Sequence, residues 1–268
     1  MVALWRLRIS KGYGQRRVLK KALFDNLFLL DNKHMNYQYL HFDEIDSTNN
    51  YLKNSYQLLD NFTFVSADYQ SKGKGRNDRV WESSKGLNLM FSVLIKEAKL
   101  INEFNALSLM AAVEVAKLLE SYKLSHVSIK WPNDVLVNDK KICGILLEGQ
   151  LPHYLVIGIG LNVNQKEFPI NLRRPATSIA NELNKEIDLE VIKESLFKNI
   201  VNNFNKLNKE DYLSYFKEHN YLLSKRVKVN INHQTFIGEV VGIDDNFNIQ
   251  ILCNDILLHV DSGELEIL

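Results

Sequence analysis

Between Gln70 and Trp81 the chain concentrates charge and glycine. Lys72, Lys74, Arg76 and Arg79 fall with Gly73 and Gly75 inside eight consecutive residues. Glycine lets backbone N–H groups turn toward a ligand at close range. Guanidinium forks match the oxygens of phosphates and carboxylates. Together these suit a clamp for nucleotide phosphates. The stretch is not a P-loop, because no Gly-Lys-Ser/Thr is present, and not a dinucleotide fingerprint, because Asp78 stands where a third glycine belongs. Taken alone, such clustering is more often a solvated basic loop.

Three later segments add polar groups to apolar surroundings. Lys130-Trp131-Pro132-Asn133-Asp134 puts a cation, an amide and a carboxylate where Pro132 stops a strand. A lone Trp-Pro pair more often marks core or turn. From Lys140 to Glu148 an apolar strand with polar ends is interrupted by Gly144, a place for something to pack on backbone. The plainer reading is a hairpin strand with solvated lysines. Gly158 to Asn164 sets Asn162 among apolar residues, where a buried amide must find a partner, which could be a ligand. A twisted core strand that needs small residues would look the same.

These residues need elements to hold them. Tyr39–Ile45 reads as a strand, followed by Asp46-Ser47-Thr48 as N-cap chemistry for a helix to about Leu59. Thr63–Ala67 and Leu87–Ile95 read as strands around a long polar loop, residues 69–86. Helical spacing of Leu107, Met110, Ala111, Val115, Leu118 and Leu119 predicts a helix over 104–122. Strands follow at 127–131, 135–138, 141–149 and 154–163, with Asn138-Asp139 as a hairpin turn. Helices are expected at 189–207 and 212–219. Short strands at 226–231, 234–243, 248–252 and 256–260, spaced by turn residues such as Asn232-His233, predict a small barrel. The fold class is α+β, a mixed sheet with flanking helices and then a small β-barrel. The expected division is 1–34, 35–223 and 224–268.

Bulk properties narrow the classes. The chain has 268 residues and a net charge of +1, so phosphate recognition has to be local rather than global. Two cysteines, Cys143 and Cys253, show no metal spacing and no disulfide framework, which favours a reducing compartment. No apolar run reaches the ~18 residues of a membrane span. Residues 1–34 are basic and acid-poor. They suit an organelle-type presequence or, preferred here, a mis-assigned start or vector remnant with Met35 the natural first residue.

In order and together, these segments resemble the biotin–protein ligases. The matching pieces are Asp46 to Asn49, the loop from Tyr69 to Trp81, Lys130 to Asp134, Lys141 to Leu146, Gly158 to Val163, and Gly263-Glu264. The resemblance covers about 39–268. Its most specific parts are the Lys-Trp-Pro-Asn-Asp string and the Gly-x-Gly-Arg-x-x-Arg-x-Trp loop. Lys74 departs from the Arg, and Asp78 from the Gly, that the family usually has. The resemblance implies a class II synthetase-like catalytic domain, an SH3-like C-terminal barrel, and activation of biotin with ATP and Mg2+ as biotinyl-AMP. A lysine of a biotin carboxyl carrier domain would then receive the acyl group.

It also implies residue roles. Biotin would meet Ser47, Thr48, Gln70, Gly73, Lys74, Trp81, Lys141 and Gly144. ATP would meet Asn49, Lys74, Arg76, Arg79, Trp81, Asn133, Lys141 and Asn162. Lys141, Arg76 and Asp134 would carry catalysis, and no residue is assigned as a resident metal ligand. The stretch before the first strand is too short for a winged helix, so a monofunctional, cytoplasmic enzyme without DNA binding, monomer or homodimer, is expected. The rival readings are a lipoate–protein ligase, a biotin-responsive DNA-binding regulator and a non-catalytic binding module.

Overall fold

The run Leu-Met-Phe-Ser-Val-Leu-Ile at 89–95 is apolar enough to be buried on both faces, and it lies at the middle of the molecule. A computed structural model describes residues 37–77, 79–170, 172–231 and 234–268. The N-terminal segment 1–34, Met35, Asp78 and the Asn232-His233 turn therefore lie outside the described residues. Seven strands form the first sheet: β1 (Gln38–Phe42), β2 (Thr63–Ala67), β3 (Leu89–Ile95), β4 (Val127–Lys130), β5 (Asp134–Val137), β6 (Lys140–Gln150) and β7 (Tyr154–Leu161). Their order is β1-β2-β3-β7-β6-β5-β4, parallel between β1 and β2 and antiparallel elsewhere. The sheet is mixed, as expected.

Helices cover both faces. The first, α1 (Thr48–Ser55), is capped by Ser47, whose Oγ accepts from the Asn50 N–H at 3.4 Å. It tightens into a 3-10 turn at Tyr56–Leu58, so the expected single helix to Leu59 changes pitch after Ser55. A short α2 (Ala98–Ile101) precedes α3 (Phe104–Ser121), and α4 (Ile179–Leu183), α5 (Leu189–Lys206) and α6 (Lys209–His219) follow. Strand alternation divides the two faces. Phe91, Val93, Ile157 and Ile159 join the core that includes Leu107, Met110 and Val115 of α3. Leu94 and Val156 point the other way, into a smaller cluster with Leu52 of α1. Ser92, Gly158 and Gly160 alternate onto that second face, and the N-terminus of α1 lies over it. The β5–β6 turn is the expected hairpin, with φ of 49° at Asn138 and 63° at Asp139.

The C-terminal strands β8 (Arg226–Ile231), β9 (Gln234–Ile243), β10 (Ile249–Cys253), β11 (Ile256–Val260) and β12 (Leu265–Ile267) form one antiparallel sheet, ordered β11-β10-β9-β8-β12. A closed barrel was expected. Among the described residues the edge strands β11 and β12 do not pair with each other, so the ladder is open. The fifth strand, β12, spans three residues and shows too little alternation to be read from sequence. Val227, Val240, Phe247 and Ile251 belong to the same buried cluster as the seven-stranded sheet. The Trp131 indole N–H donates to the Phe247 carbonyl at 3.3 Å, tying the two sheets at the Lys-Trp-Pro-Asn-Asp turn.

Candidate functional site

The floor of the main cleft is made by missing side chains. A Cβ at Gly160 would stand 2.5 Å from Trp81 Cε2, and one at Gly144 2.8 Å from Trp81 Cζ3. At Gly158 it would stand 2.3 Å from Asn49 Oδ1. Three glycines on β6 and β7 thus let one indole and one amide lie directly on the sheet. The ammonium of Lys141 sits 5.4 Å from the Trp81 ring centroid. The Trp81 Nε1–H is buried and has no acceptor, which leaves a donor at the floor.

A polar chain borders this floor. The Gln70 Oε1 accepts from the Thr48 N–H at 2.8 Å, and the Thr48 hydroxyl lies 3.0 Å from the same oxygen and 2.6 Å from Ser92 Oγ. Ser92 donates to Asn49 Oδ1 at 2.5 Å, and Asn49 Nδ2 donates to Glu148 Oε2 at 2.8 Å. The Ser92 hydroxyl donates to Asn49 and the Thr48 hydroxyl to Gln70, so Gln70 Oε1 is held by both the backbone N–H and the side chain of Thr48. The Gln70 amide N–H groups then remain for another partner. Lys53 pairs with Glu148 at the end of the chain. Burial pushes the Glu148 carboxyl up, but the Lys53 and Asn49 hydrogen bonds outweigh it, and the net shift is downward.

Cations enclose the opposite side. Lys141 Nζ pairs with Asp134 Oδ1 at 2.7 Å. Asn133 is fixed by its Nδ2 donation to the Ile145 carbonyl at 2.8 Å. Its Oδ1 accepts from Arg76 Nη1 at 3.4 Å, while Arg76 Nη2 donates to the Gly263 carbonyl at 3.1 Å. Arg79 Nη2 lies 2.5 Å from Glu264 Oε2. Thus both loop arginines reach the segment that leads into β12. Burial lowers the Arg76 pKa while Asp134 raises it. The Lys130 ammonium is lowered to about 8, by burial first and then by Arg174. The Cys143 thiol, fully buried, is pushed far up and is inert as a nucleophile.

Most sequence-predicted site residues converge on this cleft. Ser47, Thr48, Asn49, Gln70, Lys74, Arg76, Arg79, Trp81, Asn133, Asp134, Lys141 and Gly144 all line it. Gly73 and Asn162 do not. A Cβ at Gly73 would stand 2.5 Å from the Trp81 carbonyl, and its own carbonyl accepts from the Trp81 N–H, so Gly73 closes the loop upon itself. The Asn162 amide is spent internally, donating to the Thr177 carbonyl at 3.0 Å. Sequence reasoning gave no role to Ser92, Lys130, Gly160 or Glu264, although Lys130, Gly160 and Glu264 lay within quoted motifs. Ser92 carried no signal beyond one hydroxyl in an apolar strand. Outside the cleft, His41, Asp43 and Asp68 bring possible metal-ligating atoms within 4.8 Å of one another, and none of the three lines it.

A glycine floor, a polar end and a cationic wall define a cleft whose shape and charge suit a small partly apolar acid beside an anionic group. Residues 41–162 match the model of the biotin/lipoate A/B protein ligase family. The chain is 30% identical over 279 aligned residues to the bifunctional ligase/repressor BirA of Bacillus subtilis, covering 96% of this chain and 82% of that one. It is 28% identical to BirA of Escherichia coli over 75% of its own length and 64% of that protein's. A biotin protein ligase from Aquifex aeolicus, solved in complex with biotin and ATP, superposes with a TM-score of 0.75 at 29% identity, covering 87% of this chain and 99% of the other. The chain belongs to the biotin/lipoate protein ligase family.

Proposed function

We propose that the chain activates biotin with ATP as biotinyl-5'-AMP and transfers the biotinyl group to a lysine of a biotin carboxyl carrier domain. The supporting observation is the placement of Lys141 and Arg76 across one cleft from the Thr48–Gln70 polar end, over a floor of Gly144, Gly158 and Gly160. The apolar body of biotin fits the floor and the Trp81 face. Its urea needs donors and acceptors at the far end, which Ser47, Thr48 and Gln70 offer. Lipoate, which lacks a urea, would leave these groups unpaired.

In the first step a carboxylate oxygen attacks the α-phosphorus. A carboxyl–phosphate bond forms, the bond to the bridging oxygen breaks, and pyrophosphate leaves with the electron pair. Two anions have to approach, so Lys141 and Arg76 offset repulsion and stabilise the developing charge. Asp134 holds the Lys141 ammonium in place through the 2.7 Å contact. Magnesium arriving with the triphosphate would neutralise further charge. In the second step a neutral lysine amine attacks the acyl carbon and AMP departs, with Asp134 placed to orient the amine or accept its proton. The loop from Gln70 to Trp81 excludes water from the mixed anhydride between the steps.

In this reading residues 35–223 form the catalytic domain and 224–268 a C-terminal domain that closes over the loop arginines through Gly263 and Glu264. No described helix is long and apolar enough to cross a membrane. A cytoplasmic enzyme without DNA binding, monomeric or homodimeric, fits the same reading. The test is incubation with biotin, ATP, magnesium and a carrier domain, read by mass. A biotinyl shift on the carrier is expected. A shift with lipoate alone would transfer the reading to lipoate ligation.

A further inference from the structure

Behind the polar end of the cleft stands a carboxylate that does not line it. Glu148, on β6, accepts from Asn49 Nδ2 at 2.8 Å, and Lys53 of α1 takes its other oxygen. Asn49 is 3% exposed and lies on the bare backbone of Gly158. An asparagine amide is nearly symmetric in shape, but one end donates and the other accepts. Shape alone would let Asn49 turn over. Glu148 forbids it, because a carboxylate only accepts and so takes the Nδ2 end. Burial acts to raise the Glu148 pKa, yet the Lys53 and Asn49 hydrogen bonds carry it downward, so the acceptor-only form persists at neutral pH.

The Asn49 Oδ1 is thereby directed to Ser92, whose hydroxyl donates to it at 2.5 Å. Ser92 has one proton, and that proton is spent on Asn49. The Thr48 hydroxyl oxygen, 2.6 Å from Ser92 Oγ, therefore receives no hydrogen bond from it. With its own proton given to Gln70, Thr48 keeps a lone pair open in the cleft it lines. We infer that Glu148 is a positioning residue for biotin: by fixing the sense of the Asn49 amide, it keeps Thr48 Oγ1 an acceptor for a urea N–H. The Gln70 N–H groups serve the urea carbonyl beside it. Inversion of Asn49 would turn Nδ2 onto Ser92 and send the Ser92 proton to Thr48. The acceptor would then be filled, and a buried urea N–H would go unpaired. The donor–acceptor order of the ligand is thus read through a residue that the ligand never meets.

This inference rests on the proposed adenylation of biotin, which the unchanged protein tests first. Glu148→Gln keeps the shape of the side chain but offers one oxygen in place of two. Lys53 claims that oxygen, so the new amide N–H groups face Asn49 and turn it over. In steady-state adenylation the KM for biotin is expected to rise roughly tenfold or more, with kcat and the KM for ATP unchanged. Adding Asn49→Asp to Glu148→Gln restores an acceptor at both ends of residue 49. Ser92 then has an acceptor again, and the double variant is expected to recover most of the lost affinity for biotin. A normal KM for biotin in Glu148→Gln would overturn the inference and leave the biotin reading intact. So would equal rises in the KM for biotin and for ATP, which mark a general defect, or a double variant no better than the single one. If the unchanged protein forms no biotinyl adenylate, the biotin reading fails and the role of Glu148 falls with it.

Discussion

Gly160 and Trp81 compete for one volume: a Cβ on residue 160 would sit 2.5 Å from Cε2 and 2.8 Å from Nε1 of the indole. The strand backbone is fixed by pairs to Met90 and Gly144, so the indole has to yield. Gly160→Ala is therefore expected to lift Trp81 from the floor and narrow the biotin site. Overpacking of this kind costs roughly 1–3 kcal/mol, and about 1.4 kcal/mol is tenfold in affinity. Titration calorimetry should show biotin affinity about tenfold weaker or more, with unchanged circular dichroism. Wild-type affinity would remove the floor from the binding argument.

Glu264 gathers Arg79 and Arg173, but all three side chains are more than a third exposed. Exposed pairs contribute about 0–1 kcal/mol each, so Glu264→Gln should barely change global stability. Its effect belongs to the loop. Trypsin cleavage after Lys74, Arg76 or Arg79 is expected to accelerate roughly 2- to 5-fold, with the melting midpoint unmoved. A protected loop in the variant would show that Gly263 and Asn133, through Arg76, hold it unaided.

The same residues show where sequence reading succeeds. The cleft was legible because its chemistry clusters in short segments: the Gly/Arg loop, Lys130 to Asp134, and Lys141 to Gly144 all converge as expected. Strand β3 and helix α3 were legible because their apolar runs are long and periodic. Asn162 misled because a buried amide needs some partner, and sequence cannot say that Thr177 supplies it. The 3-10 turn, β12, α2 and α4 were too short for a period to emerge. The open edge between β11 and β12 depends on strand pairing at long range, which turn residues do not encode.

Arg76 is held at two points, by Asn133 Oδ1 and the Gly263 carbonyl, and neither is an acid. Its charge is thus available to a phosphate. Arg76→Gly is expected to bind biotin normally yet release the adenylate, because the loop loses its ties to Asn133 and the Gly263 carbonyl and keeps only the exposed Arg79–Glu264 pair. Biotin should then appear on lysines of an unrelated bystander protein, detected by streptavidin blotting. Retention of the adenylate, with the bystander unlabelled, would exclude Arg76 from the clamp.

Glu114 is 1% exposed on α3, where Tyr212 donates to Oε1 at 2.7 Å and Asn203 Nδ2 lies 3.1 Å and 3.0 Å from its two oxygens. Burial raises its pKa, and the Tyr212 and Asn203 hydrogen bonds only partly oppose this. In the pH interval between the unfolded and folded pKa values the folded state binds the proton more tightly. Stability therefore falls as pH rises through that interval, and the loss persists at neutral pH. Glu114→Gln removes the ionisation, keeps an oxygen for Tyr212, and lets the Asn203 amide turn to accept from the new N–H groups. Urea unfolding should show near-equal stability at low pH, and a gain on the order of 1 kcal/mol for the variant at pH about 8. If the difference between variant and wild type is independent of pH, Glu114 does not titrate in the fold as its burial requires.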